Sequence, residues 1–190
     1  MGGASYRGYC DEDRLAEYVE QLKAQNFDTY IGFVPAYSTL GWFYDPLHSG
    51  FTNLSDGRLQ ALIFHELAHQ VLDVSGDTTL NESFATAVEL EGLKLWSRHN
   101  DDPEAFERAR ERLQQREQTL SLVRATSQRL EALYQQQGQM PVAVLRQRKD
   151  ELLTELVQAY LRLSEQWRQP GPFGATPTSL NNATLALFRQ

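Results

Sequence analysis

The residues that could do chemistry lie close together in Leu62–Gln70, which reads LIFHELAHQ and holds His65, Glu66 and His69. Histidines four residues apart on a helix differ by about 40° around its axis, so both imidazoles share one face. Their ring nitrogens can close on one metal ion. Glu66 follows the first histidine and can take a proton from water as a general base. Two histidines, a more distant carboxylate and an open fourth position make the donor set of a hydrolytic zinc site. The chain contains four histidines. At that composition the pattern would arise by chance in about 0.6% of chains of this length, so its context has to be weighed.

The context favours a helix. Ser55 or Asp56 can cap its start. Leu59, Leu62, Ile63, Leu67 and Val71 make an apolar stripe, and Gly76 is a stop signal. The spacing predicts about five turns around the motif, largely buried on one side. The competing reading is a buried helix whose histidines and glutamate are satisfied without metal. Each would then need its own hydrogen-bond partner. One metal ion serves them together.

Glu82, in Asn81-Glu82-Ser83-Phe84-Ala85, is the candidate third ligand. Thr79-Leu80-Asn81-Glu82 also reads as a capping box, in which Glu82 would only satisfy the backbone at a helix start. Asp73 and Asp77 are rival oxygen donors. Asp73 falls a turn beyond His69. Asp77 sits in the connection and can brace a histidine from behind. Tyr37 and Tyr44 can each donate a phenol proton to a developing oxyanion. Ser38 and Thr39, beside Tyr37, are candidates for substrate contact. His48 precedes the motif helix and His99 sits at a helix end, where a cation suits the dipole. Neither has ligand spacing.

NESFATAVE at Asn81–Glu89 resembles the NExFAxxxE helix of gluzincin aminopeptidases. That resemblance implies Glu82 as the third zinc ligand, with Asn81 and Glu89 beside the site. The likeness extends outward. The stretch from Tyr37 to Leu47, then LIFHELAHQ, then GDTTLNESFATAVE, is similar to a bacterial family of predicted aminopeptidases. It covers most of residues 5–100 and continues weakly to Asn181-Asn182-Ala183. The family implies an HExxH zinc peptidase with one Zn²⁺ per chain and a peptide or protein substrate. Members resemble longer proteins with an export or lipoprotein signal, which implies the bacterial cell envelope or periplasm, with the signal segment not in this chain. This chain has no GxMEN segment, the feature with which well-studied gluzincin aminopeptidases hold the substrate's amine.

The remaining sequence supplies the supports. With 190 residues, 41% hydrophobic and 23% charged, the chain can bury one core plus a helical appendage. A net charge of -7 argues against a nucleic-acid partner. No apolar run approaches the roughly 20 residues that span a bilayer. The single cysteine, Cys10, says little about compartment. Asp11–Gln25 reads as an amphipathic helix with Leu15, Val19 and Leu22 inward. Asp28–Val34 reads as a strand ended by Pro35, against which an extended peptide could pair. Residues 37–46 read as a hairpin or a loop lining the cleft.

From Pro103 a Glu-, Arg- and Gln-rich stretch carries Leu113, Leu120, Val123, Leu130 and Leu133 on one stripe. After a turn at Gly138-Gln139-Met140-Pro141, residues 142–167 carry Leu145, Leu152, Leu156, Tyr160, Leu163 and Trp167 on another. These predict an antiparallel helical hairpin that could cover a cleft, bind a partner or form a homodimer. If it folded back, Tyr160 could reach the metal. The expected fold is α+β, mainly helical: a zincin-like core at 1–100 with a small sheet, the HExxH helix and the Glu-ligand helix. The hairpin would occupy 101–168, and a C-terminal loop and short helix 169–190. The functional expectation is zinc-dependent peptide hydrolysis, as an aminopeptidase. The alternatives are an endopeptidase of the same mechanism or a non-catalytic binding or assembly module built on the hairpin.

Overall fold

The computed structural model describes residues 7–32, 54–177 and 180–189. Among these residues are six helices and no strand: α1 (Glu12–Ala24), α2 (Asp56–Val71), α3 (Thr78–His99), α4 (Pro103–Tyr134), α5 (Val142–Ser164) and α6 (Asn182–Phe188). This overturns the expected α+β zincin-like core with its small sheet. The described part of the expected strand, residues 28–32, is irregular. Two of its polar groups, the Asp28 carboxylate and the Thr29 carbonyl, are engaged by groups from α5 and the start of α6. The Asp28 carboxylate accepts from Lys149 Nζ at 2.6 Å and from the Asn182 backbone N–H at 3.1 Å. The Thr29 carbonyl accepts from Asn181 Nδ2 at 2.9 Å. The expected hairpin at 37–46 lies outside the described residues.

The chain divides into two compact units. One comprises Gly32–Leu113; the other joins Met1–Ile31 to Gln114–Gln190.

In the unit of Gly32–Leu113, α2 and α3 pack antiparallel. Gly57 at the start of α2 meets Trp96 near the end of α3, and Phe64 meets Gly92. The buried residues of α2 are Gly57, Ala61 and Ala68. The expected Leu67 and Val71 are instead 49% and 79% exposed. Small residues recurring at helical spacing let the backbones approach closely, and that line, rather than the leucine stripe, faces the neighbouring helices. A Cβ added to Gly57 would stand 2.8 Å from the Ala105 Cβ. One added to Gly92 would stand 2.8 Å from the Phe64 ring. Leu93 is fully buried and clusters with Ala61, Ala105 and Ala109, flanked by Leu90 and Trp96.

The connection from α2 to α3 is held locally. Gly76, at φ 84°, allows a turn closed by the Asp77 N–H on the Val74 carbonyl at 3.1 Å. Asp77 then caps α3, accepting from the Leu80 N–H at 3.0 Å. Because α3 begins at Thr78, Thr79 is already inside it and Glu82 lies beyond the third helical position. The capping-box reading of Thr79–Glu82 therefore does not apply. Pro103 opens α4, and Asp102 accepts from the Ala105 N–H at 3.2 Å.

In the other unit, residues 114–134 of α4 and the length of α5 form the expected antiparallel hairpin. Arg129 bridges to Glu155 at 2.6 Å, and Trp167 Nε1 donates to Gln118 at 3.2 Å. Val123, Leu130, Leu153 and Leu156 form its core with Leu185 of α6, and Phe173, Leu180 and Phe188 pack on it. The hairpin's inner stripe is thus covered by the chain's own C-terminal segment. Tyr160, fully buried, donates to the Gly174 carbonyl at 2.9 Å and accepts from the Phe173 N–H at 3.1 Å. Its hydroxyl is spent on holding that segment. Burial raises its pKa, and the Phe173 N–H partly offsets the rise.

Two substitutions test the packing of the motif helices. Leu93→Ala should cost about 2–5 kcal/mol in urea unfolding, because it empties a fully buried site. Gly57→Ala should also destabilise despite the better helix propensity of alanine. Its new methyl meets another Cβ that is anchored directly to backbone, so only movement of a helix relieves the contact. Unchanged or improved stability in Gly57→Ala would show that the approach of α4 to α2 is looser than described.

Candidate metal centre

The two motif helices bring three of the expected residues together. His65 Nε2 lies 3.4 Å from Glu82 Oε2, and His69 Nε2 lies 3.6 Å from Glu82 Oε1. One donor atom from each of the three residues lies within 4.8 Å of the others. The imidazoles stand 5.0 Å apart between ring centroids and are inclined at 76°. A tetrahedral zinc ion with N and O bonds of about 2.0–2.2 Å keeps neighbouring donor atoms about 3.3–3.6 Å apart. The contacts of Glu82 with the two histidines, one through each oxygen, fall in that range, and two imidazoles with one carboxylate are a donor set that suits zinc. The Glu82 side chain is 54% exposed, whereas His65 and His69 are 21% and 13% exposed. The cluster is therefore backed by the helix pair and open on the carboxylate side.

Glu89 completes the arrangement around His65. Its Oε2 lies 3.1 Å from His65 Nδ1. Glu82 and Glu89 are seven residues apart, two turns of α3, so their side chains rise from one face and meet the two nitrogens of one ring. A proton held on Nδ1 by Glu89 leaves the Nε2 lone pair directed at Glu82, the tautomer a metal ligand needs. The hydrogen bond to Glu89 raises the His65 pKa; burial opposes this, and Glu89, Glu82 and Glu66 add attraction for the charged form.

The other expected residues take different places. Asn81, 8% exposed, clamps the α2–α3 connection. Its Oδ1 accepts from the Val74 N–H at 2.8 Å, and its Nδ2 donates to Asp73 at 2.9 Å and to the Val74 carbonyl at 3.0 Å. It positions the start of α3, and hence Glu82, rather than touching a histidine. Asp77 serves the Leu80 N–H as a cap. Asp73, once a rival ligand, is held by Asn81. Glu66 is half-buried on α2, about 100° around the helix from His65. His99 ends α3 beside Arg98, among the last-turn carbonyls that favour a cation. Tyr37, Ser38 and Thr39, with Tyr44 and His48, lie outside the described residues.

Two supporting residues escaped the sequence reading. Gly92 makes room for the Phe64 ring directly before His65. A glycine inside a helix costs about 1 kcal/mol against alanine, which is itself a signal of close approach. Arg112 is half-buried in the same unit, with Glu89, Arg58 and Arg108 in its electrostatic surroundings. Burial lowers its pKa, chiefly by desolvation. No local pattern distinguishes Arg112 from the other arginines of α4.

The family described as "Putative aminopeptidase" matches the chain over residues 1–190. The chain belongs to that family. No curated protein and no solved structure matches it. The whole-chain match agrees with the resemblance drawn from the motif region and carries an aminopeptidase designation for the protein.

Removing the carboxylate behind His65 should show in metal affinity. Glu89→Gln is expected to weaken zinc binding about 10–100-fold in a chelator competition, with helical content retained. Asn81→Ala should lower unfolding stability by about 1–3 kcal/mol, because it strands the Val74 N–H, while the Val74 carbonyl keeps the Asp77 N–H.

Proposed function

We propose that this member of the aminopeptidase family is a zinc-dependent peptidase that removes N-terminal residues from peptides. The observation that carries the reading is the single Glu82 carboxylate reaching both imidazoles at donor-atom spacing, one oxygen to each. His65, His69 and Glu82 would hold the ion. When bound there, zinc supplies Lewis acidity, polarising a scissile carbonyl and acidifying water. The chain's own residues do the rest. Glu66 accepts a proton from the attacking water and returns it to the leaving amine. Glu89 keeps the His65 proton on Nδ1, so that the ring presents an unprotonated Nε2. Tyr37 is proposed as the donor to the developing oxyanion, with Ser38 and Thr39 contacting substrate.

Preference for an aminopeptidase over an endopeptidase rests on the family designation. Zinc is favoured over a hard cation such as magnesium by the donor set. Two imidazoles with one carboxylate suit zinc, whereas magnesium takes oxygen ligands in octahedral geometry.

Metal analysis and turnover separate the roles. Wild-type protein should carry about one zinc per chain, and Glu82→Ala should lose it or bind it far more weakly. Glu66→Gln should keep the metal and lose hydrolysis of unblocked peptides. Unchanged hydrolysis in Glu66→Gln would remove the general-base role. Wild-type protein that takes up no zinc when supplied with it would remove the metal site.

A further inference from the structure

A second candidate binding surface lies within the unit formed by Met1–Ile31 and Gln114–Gln190. It is a groove of about 890 Å³, at the upper end of the range for ligand clefts. Val19 of α1 and Leu180, Leu187 and Phe188 from the C-terminal segment form apolar walls, together with Ile31 and Phe173. Its charged lining is of one sign. Among the described residues that line it are Lys23 and Arg116 but no Asp or Glu. This is notable in a chain with 25 acidic residues against 18 basic ones.

The two cations differ. Lys23 pairs with Glu20, one turn away on its own helix, at 2.8 Å. Arg116 lies over the Phe188 ring, 5.2 Å from its centroid, and has no carboxylate partner among the described residues. An arginine stacked on an aromatic wall keeps its N–H donors available at the edge of the guanidinium plane, where a carboxylate can take two of them.

One side of the groove is backbone. Thr29, Tyr30 and Ile31 line it. The Thr29 carbonyl is held by Asn181, which anchors the segment. Tyr30 and Ile31 make no backbone hydrogen bond among the described residues. Their side chains are 53% and 57% exposed. Main-chain groups without a partner among the described residues, lying beside apolar pockets, are what an incoming peptide main chain can pair with. A fatty acid or other alkyl carboxylate would use the apolar walls and Arg116 but leave those backbone groups unpaired.

We propose that this groove binds a short peptide segment with apolar side chains and a carboxylate seated at Arg116, its main chain pairing with Tyr30 and Ile31. The site is separate from the proposed chemistry of His65, Glu66, His69 and Glu82 and does not depend on a metal.

The test is fluorescence polarisation with full-length protein. The probe is a fluorescein-labelled pentapeptide of leucine, valine and threonine with a free C-terminal carboxylate. The label blocks its amine, so it is not an aminopeptidase substrate. Saturable binding is expected. Amidating the C-terminus should weaken it about 10-fold or more, as should Arg116→Gln, by loss of a charge-assisted pair. Arg116 is exposed, so its replacement should leave the helical spectrum intact. Leu187→Asp, on an exposed position of the wall, should weaken binding of both the acid and the amide probe. Glu82→Ala should bind the probe as wild type does, which separates this site from the metal centre. No saturable binding, or equal affinity for acid and amide with Arg116→Gln unchanged, would overturn the proposal. Displacement of the probe by decanoate with no effect of an unlabelled competing peptide would overturn it in favour of an alkyl carboxylate.

Discussion

Close approach between α2 and α3 is the constraint on which the candidate metal centre depends. Gly57, Ala61 and Ala68 line the buried side of α2, and Gly92 on α3 leaves space for Phe64. Larger residues along this line would push the helices apart. Histidine and glutamate side chains reach only a few ångströms from their helix axes, so His65 and His69 could not then share one Glu82 carboxylate. The packing is therefore a condition of the chemistry as well as a contribution to stability. Leu93, buried between the same helices, supplies the apolar contact that keeps the small-residue seam closed.

The polar groups at the end of this helix pair are arranged in two layers. Nearest the proposed ion are the Nε2 atoms of both histidines and the two Glu82 oxygens. Behind them Glu89 holds His65 from its other nitrogen. At the helix turn, Asn81 uses its amide on both backbone groups of Val74, which fixes where α3 begins and so the height at which Glu82 emerges. Glu82 and Glu89 are thus set by one helical register. A shift by one residue would rotate both carboxylates by about 100° away from the histidines.

The other unit solves a different problem. A long, charged hairpin has one apolar stripe, and α6 with the Phe173 region covers it. Tyr160 ties that cover down through Phe173 and Gly174, while Asn181 and Asn182 tie it to Asp28 and Thr29. The start of the segment expected to be a strand is held at Asp28 and Thr29, and its next residues line a groove.

Much of the candidate site was legible in one dimension. His65, Glu66 and His69 lie within one helical turn and a half, where spacing alone decides which side chains share a face. The same holds for Glu82 with Glu89, two turns apart on one helix. Whether Glu82 was a ligand candidate or a helix cap was open locally, and the start of α3 decided it. The absence of a strand at 28–32 was not legible, because β-propensity describes residues that fit a sheet, and a sheet needs a partner strand. Nor could the leucine pattern of α2 reveal that its tightest contact would run along glycine and alanine. Hydrophobic periodicity marks the face that avoids water, whereas the closest approach depends on the shape of the neighbouring helix, which only the tertiary structure supplies. The sequence by itself determined which groups could act together along a helix; the fold decided which helices met, because that depends on residues far apart in the chain.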